Sequence, residues 1–249
     1  MINILVTGAK GFIGSNLIKT LQKNKQVKIL SFTKEHNYED LENFILASDF
    51  IFHLAGEVRP NSSKEDFENA NVTLTKYITG LLTKHKKKTP ILLVSTIHAS
   101  LLKNEYGKTK RASELLVEQY SKENQINCYI FRLPHVFGEG CKPNYNSVIS
   151  TWIYNSLNDL EITVFDRSIE MDYVYVQDVI LEFISMINTQ ETTIYHNPNI
   201  VYHTTLGEVV DYIYEFREHK DDQNYSIQNN EFKQKLLTTY KHYRLQEIK

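Results

Sequence analysis

Short apolar runs punctuate the first half of the chain, with stretches of helical spacing between them. Ile2–Thr7, Val27–Phe32, Phe50–Leu54, Ile91–Ser95 and Tyr129–Leu133 read as buried strands. Phe12–Gln22 places Phe12, Ile13, Leu17, Ile18 and Leu21 at helical intervals. Tyr38–Ala47 is a predicted helix that Asn37 can cap, and helices near Glu65–Lys86 and Glu105–Glu123 continue the alternation. Each crossover helix must return the chain to the same end of the sheet, so the order predicts a parallel, doubly wound sheet. Between Phe32 and Phe50 there is room for one helix and no further strand.

The second half is less regular. Asn144–Asn155, Gln177–Ile187, Leu206–Phe216 and Glu231–Tyr243 have helical patterns, and Ile162–Phe165 and Tyr173–Val176 look strand-like. Such a tail can fold over the carboxyl edge of the sheet and form a lobe of its own.

Composition narrows the field. Of 249 residues, 41% are hydrophobic and 23% charged, as in an ordinary globular protein, and the formal net charge is −2. That balance gives no drive toward nucleic acid or a membrane surface. The basic run Lys84 to Lys88 reads as the end of a helix, where cations suit the dipole. No apolar run reaches the roughly 18 residues of a membrane span, and the amino end lacks the pattern of a signal peptide. Cys128 and Cys141 match neither a zinc nor a redox spacing, and no HExxH motif occurs, so no metal is expected. The paucity of cysteine points to a reducing, cytoplasmic setting.

Thr7-Gly8-Ala9-Lys10-Gly11-Phe12-Ile13-Gly14 lies between a predicted strand and a predicted helix. Gly8 permits a tight turn, Gly11 lets backbone approach a pyrophosphate, and Gly14 lets the helix pack close. The helix amino end then offers N–H groups and a positive dipole to phosphates. The expected architecture is therefore α/β, a Rossmann-like doubly wound parallel sheet with a small C-terminal substrate-binding lobe. The dinucleotide-binding domain is expected over 1–138 plus 172–198, and the lobe over 139–171 plus 199–249. The second strand ends Leu30-Ser31-Phe32-Thr33-Lys34 with no acid at its tip to hold ribose hydroxyls. Lys34, with Ser31 or Thr33, suits a 2′-phosphate, which favours NADPH over NADH.

Tyr106 and Lys110 stand four apart at the start of a predicted helix, so they share a face. Thr96 follows a strand whose carboxyl end is where an α/β ligand binds; Ser95 is its rival. A phenol titrates near 10, so ionisation at neutral pH requires a drop of about 3 units, or ~4 kcal/mol. A nearby ammonium acts in that direction, and the hydroxyl can hold the reacting oxygen.

TGAKGFIG, the strand end His53-Leu54-Ala55-Gly56 and YGKTK together resemble the extended short-chain dehydrogenases, with Tyr173-Val174-Tyr175-Val176-Gln177-Asp178-Val179 similar to their late YVxDV segment. A narrower resemblance, carried by HLAGEVRP, the short gap from Thr96 to Tyr106, and Gly138–Ser150 with CKPNYNSVI, is to the reductase domain of the bifunctional capsular-polysaccharide enzymes. It implies NADPH-dependent reduction of the C4 ketone of a UDP-2-acetamido-2,6-dideoxy-hexulose, without the cupin epimerase domain those enzymes carry. It implies catalysis by Thr96, Tyr106 and Lys110. Gly8, Lys10, Gly11, Phe12, Ile13, Gly14, Thr33, Lys34, Leu54, Ala55, Gly56, Tyr106, Lys110 and Leu133 would contact the cofactor. Arg59, His98, His135, Lys142, Asn144, Asn146 and Arg167 would contact the nucleotide sugar. His135 stands where many relatives have an asparagine, and Met171 replaces a common arginine, so phosphate contacts fall to Lys142, Arg167 or Asn146. By analogy with the family the chain is expected to form a homodimer.

Two other functions fit parts of the pattern. A nucleotide-sugar epimerase or dehydratase would cycle a retained NAD, but Thr96 is followed by Ile97 and His98 rather than the acids a dehydratase uses. A dinucleotide sensor has no need of both Tyr106 and Lys110.

Overall fold

The computed structural model describes residues 1–59, 61–145, 147–222 and 224–247, with side chains described through Leu245. The strands are β1 (Ile2–Thr7), β2 (Val27–Phe32), β3 (Phe50–His53), β4 (Ile91–Thr96), β5 (Tyr129–Leu133), β6 (His135–Phe137), β7 (Glu170–Tyr175), β8 (Tyr195–His196) and β9 (Tyr202–Thr205). The helices are α1 (Phe12–Leu21), α2 (Tyr38–Ala47), α3 (Lys64–Phe67), α4 (Leu74–Lys84), α5 (His98–Leu101), α6 (Glu105–Asn124), α7 (Val148–Leu157), α8 (Val176–Ser185), α9 (Leu206–Glu218) and α10 (Glu231–Glu247). A π-helical turn, Glu68–Thr73, joins α3 to α4.

The first unit comprises residues 1–133 and 180–198. Its six strands run in the order β2-β1-β3-β4-β5-β8, every neighbouring pair parallel. Alternate side chains face opposite sides, so a sheet covered by helices on both faces needs apolar residues in both sets. Leu5, Ile51, Leu93 and Ile130 pack with Leu41 and Ile45 of α2, Ile78 and Leu82 of α4, and Val117 and Tyr120 of α6. The opposite set includes Phe52 and Phe131, whose rings meet Phe183 of α8. The register aligns Thr7 with Phe32 and His53, and Thr96 with Leu133. The carboxyl ends of β1 to β5 therefore form one edge, the place where open α/β sheets bind ligands.

The second unit comprises residues 134–179 and 199–249. In its small sheet β7 pairs parallel with β6 and antiparallel with β9. Trp152 and Ile153 of α7, Val209, Ile213 and Phe216 of α9, and Phe232, Leu236 and Tyr240 of α10 close a core around Phe137, Tyr173 and Tyr175. Thr205 and Glu208 form a reciprocal capping box that starts α9.

Several expectations are corrected here. Ile162–Phe165 forms no strand: Ile162 is buried and Phe165 fully exposed, but no backbone ladder accompanies that alternation. The helix expected from Asn144 starts at Val148, because Ser147 caps it and Asn144 has a left-handed φ of 55°. The units divide at 133/134 and 179/180 rather than 138/139 and 171/172. β6 and β7 lie entirely in the second unit because they pair with each other and β7 pairs with β9.

Candidate active site

The glycine loop closes against the end of β3. Gly8 has φ +68°, and a β-carbon there would lie 2.8–2.9 Å from the backbone of Leu54 and Ala55. A β-carbon on Gly14 would lie 2.3 Å from the Gly8 carbonyl oxygen, so α1 approaches the loop as closely as backbone allows. Gly11 caps α1 without a side-chain hydrogen bond, and no acidic residue occupies the first turn. The N–H groups around Phe12, Ile13 and Gly14 thus meet no side-chain competitor, and this cradle fits a dinucleotide pyrophosphate.

The tip of β2 carries no acid, but Glu35, three residues past the strand, turns toward the glycine loop. Lys10 Nζ donates to both oxygens of Glu35 at 2.6 Å, and this pair is exposed. The Thr33 N–H donates to His36 Nδ1 at 3.2 Å, and its hydroxyl lies 3.1 Å from the same nitrogen. Lys34 is exposed. The acid missing from the strand tip stands one residue beyond Lys34 and reaches back to the glycine loop.

The hydroxyl, phenol and ammonium come from β4 and α6. Asn104 caps α6, and its side chain accepts from the Gly107 N–H at 2.8 Å, fixing the turn that carries Tyr106. The Thr96 hydroxyl is near enough to the Tyr106 phenol to act on it. The Tyr106 ring lies 6.1 Å from Phe67 and 6.3 Å from His98. Burial pushes the phenol up to about 12, the Thr96 hydroxyl pulling the other way. The fall expected from the lysine is not observed. Burial also lowers Lys110 to about 8, with Glu114 opposing, so the amine is itself short of full charge. Lys110 Nζ lies beside the end of β3, 3.7 Å from where a Gly56 β-carbon would stand. Ser95, the alternative hydroxyl, donates to Glu114 Oε1 at 2.6 Å and is fully committed to it.

Sequence reasoning missed the scaffold behind these groups. Asn71, in the π turn, is buried. Its Oδ1 accepts from the Glu57 N–H at 2.9 Å, and its Nδ2 donates to the Glu57 carbonyl at 3.3 Å and to Thr109 Oγ1 at 3.1 Å. Its carbonyl accepts from Thr75 and Ser113, both at 2.6 Å. Thr75 therefore accepts from His53 Nε2 at 2.8 Å, and Thr7, which accepts from the Ala55 N–H at 3.2 Å, donates to His53 Nδ1 at 2.8 Å. This directionality assigns His53 as the neutral Nε2–H tautomer, and burial pushes its pKa down to about 3, with Lys110 adding to the fall. An asparagine inside a predicted helix was the available signal, since that residue competes with helical backbone bonds.

Among the expected substrate contacts, Arg59 is held by Glu57, with Nε to Oε1 at 3.0 Å and a second nitrogen to Oε2 at 2.8 Å. The Arg59 bond is the largest of the effects that take Glu57 down to about 2. The His98 N–H donates to Thr96 Oγ1 at 3.3 Å. In the second unit the His135 ring lies 5.9 Å from Tyr173. Lys142 and Asn144 are exposed, and the Asn144 N–H donates to Thr151 at 2.9 Å. Arg167 donates to the Gly207 carbonyl at 3.1 Å and Asp211 at 2.6 Å. Asn146 lies outside the described residues.

Comparison with known proteins agrees with the motifs. The model of the NAD dependent epimerase/dehydratase family matches residues 4–200. The UDP-2-acetamido-2,6-beta-L-arabino-hexul-4-ose reductase of Pseudomonas aeruginosa is 33% identical over 240 residues, covering 95% of this chain and 63% of that protein. The structure of the capsular polysaccharide assembling protein CapF from Staphylococcus aureus aligns with a TM-score of 0.86 and 39% identity, over 97% of this chain and 66% of that one. The chain thus spans just under two thirds of the length of both. A UDP-glucuronic acid 4-epimerase from Bacillus cereus aligns over 98% of this chain and 99% of its own, with a TM-score of 0.82 and 20% identity, a likeness of fold.

Proposed function

The chain belongs to the NAD dependent epimerase/dehydratase family, and from that premise we propose that it reduces the C4 ketone of a UDP-2-acetamido-2,6-dideoxy-hexos-4-ulose with NADPH, in the synthesis of a capsular or surface polysaccharide sugar. The observation that carries the reading is the placing of the Tyr106 phenol within reach of the Thr96 hydroxyl, on the edge that carries the glycine cradle and Lys110. The relative from Pseudomonas aeruginosa, named for this activity, supports the substrate class.

Bound NADPH supplies the hydride; the protein's part is to hold the sugar and deliver a proton. Thr96 holds the C4 oxygen beside the phenol. Tyr106 donates its proton to that oxygen as negative charge develops there. A phenol kept neutral suits this direction, since its work is to donate, and an alkoxide is far more basic than a phenolate. Lys110 restores charge balance when Tyr106 gives up its proton. Gly8, Gly11, Phe12, Ile13 and Gly14 hold the pyrophosphate, and Leu54, Ala55, Gly56 and Leu133 line the path to the nicotinamide. Lys10, Thr33 and Lys34 are assigned to the 2′-phosphate corner. Arg59, His98, His135, Lys142, Asn144, Asn146 and Arg167 are assigned to the nucleotide sugar, and residues 134–179 with 199–249 to a substrate lobe. A homodimer in the cytoplasm goes with this reading.

The test is a panel of UDP-4-keto sugars with NADPH oxidation followed by absorbance. Turnover is expected on a 2-acetamido-2,6-dideoxy member. Tyr106→Phe should lower kcat by roughly 10²–10⁴-fold and leave NADPH affinity unchanged. Silence of the wild type across the panel overturns the reading. Protein that purifies with tightly held NAD and interconverts C4 epimers points to the epimerase alternative instead.

A further inference from the structure

α6 spends its burial in an unusual way. Its last turns bury Val117 and Tyr120, but its first turns bury Thr109, Lys110, Ser113 and Glu114. Two opposite charges four residues apart lie on the inner face of one helix, where apolar side chains would pack at no electrostatic cost. Glu114 is fully buried, and both its oxygens are used. Oε1 accepts from Ser95 at 2.6 Å and Arg132 Nε at 2.9 Å, and Oε2 accepts from Arg132 at 2.7 Å and Arg111 at 2.9 Å. Ser95 adjoins Thr96, and Arg132 adjoins Leu133. A single carboxylate thus ties the ends of β4 and β5 to the helix carrying Tyr106 and Lys110.

We propose that Glu114 is a positioning residue of this site: it locks the end of β4 against α6 and supplies the counter-charge that keeps Lys110 an ammonium. A buried ion pair is a poor way to add stability, so its position directly behind the reacting groups is the informative fact. Among the described residues, the charged or titratable groups on the elements around Lys110 are Tyr106, Arg111 and Glu118 on α6, His53 on β3, Arg132 on β5 and Tyr195 on β8; Arg111 also donates to Glu118 at 2.8 Å and is hydrogen-bonded to Tyr195. His53 is held neutral. Glu114 offsets the cations Arg111 and Arg132, Glu118 is taken up by Arg111, and Glu114, one turn along the same buried face, is the anion that acts on Lys110. The electrostatic part of this inference stands without the ketoreductase reading; its consequence for turnover rests on that reading.

The experiment follows the ¹³Cε resonance of Lys110 against pH in ¹³C-lysine-labelled protein, assigned by its loss in Lys110→Met. Glu114→Gln should move the midpoint down by about one pH unit. Arg111→Gln, at a partly exposed position, should move it up, because it leaves Glu114 less neutralised. That second variant keeps the test open if Glu114→Gln does not fold. In the same variants the high-pH limb of kcat should move with the lysine. An unmoved lysine midpoint overturns the proposal, and so does a moved midpoint with an unmoved kcat profile. No turnover by the wild type, with the midpoints moved, overturns the ketoreductase reading and leaves the hold of Glu114 on Lys110 standing.

Discussion

Ser95 and Thr96 are consecutive hydroxyls on one strand, and their partners separate their roles. Ser95 donates to Glu114, while the Thr96 hydroxyl acts on the phenol. Thr96→Ala should therefore lower kcat by roughly 10²-fold, within the range for a lost proton-transfer partner. Thr96→Ser, which keeps the oxygen, should restore most of it. Steady-state rates at saturating NADPH decide the matter, and equal losses in both variants would deny the hydroxyl its part. A second residue-scale question lies at Lys10 and Glu35. The pair is exposed and screened by solvent, so a 2′-phosphate can displace Glu35 from Lys10 at little cost. Glu35→Gln should tighten NADPH by roughly two- to fivefold, and leave NADH unchanged or weaker. Coenzyme fluorescence titrations measure both constants, and an unchanged NADPH-to-NADH ratio would show that the corner is indifferent to this acid.

At the scale of elements, the parallel strands and their helices were legible because each is a run of apolar residues ending in polar ones, and the sheet buries both faces. The glycine loop was legible for the same reason, as a strand, a tight turn and a helix in series. β8 was not, since two residues carry no period and the strand exists only through pairing with Ile130 and Phe131. Ile162–Phe165 shows the converse, an alternation without a ladder. The π turn was hidden because helical patterns flank it on both sides, and its cause is tertiary: the contacts that Asn71 makes with Glu57, Thr109, Thr75 and Ser113. Asn71→Ala leaves the Glu57 N–H without its acceptor, which costs about 1–3 kcal/mol. A fall in Tm of several degrees is expected, together with lower turnover, because the same side chain steadies Thr109 beside Lys110. A variant with wild-type Tm would mean that the turn is held by other contacts.

Across the molecule, formal charge at pH 7 is almost balanced, with 28 basic and 30 acidic residues, so on mild acidification individual buried groups act before net positive repulsion builds up. Two groups in the first unit act in adjoining windows. The His53 pKa falls from 6.5 to about 3 on folding, so below pH 6.5 the unfolded chain takes up a proton that the folded one refuses. Its contribution is complete above 6.5 and drains away as pH falls toward 3, at about 1.4 kcal/mol per pH unit. Glu57 falls from 4.5 to about 2, so its contribution is complete above 4.5 and is lost as pH falls toward 2. Between pH 6.5 and 4.5 the loss from these two groups therefore belongs to His53. His53→Asn removes the titration, so its urea unfolding free energy should vary less with pH over that window than that of the wild type. The comparison is one of slopes, which makes it independent of how far the substitution lowers stability at pH 7. Parallel slopes would mean that His53 takes up a proton on Nδ1 in the folded state, which requires Thr7 to stop donating to that nitrogen and accept from it instead. The end of β3 would then carry a positive charge near Lys110, and the lysine, already lowered by burial, would be driven lower still. Acid stability and the charge on Lys110 are in this way two readings of the same buried ring.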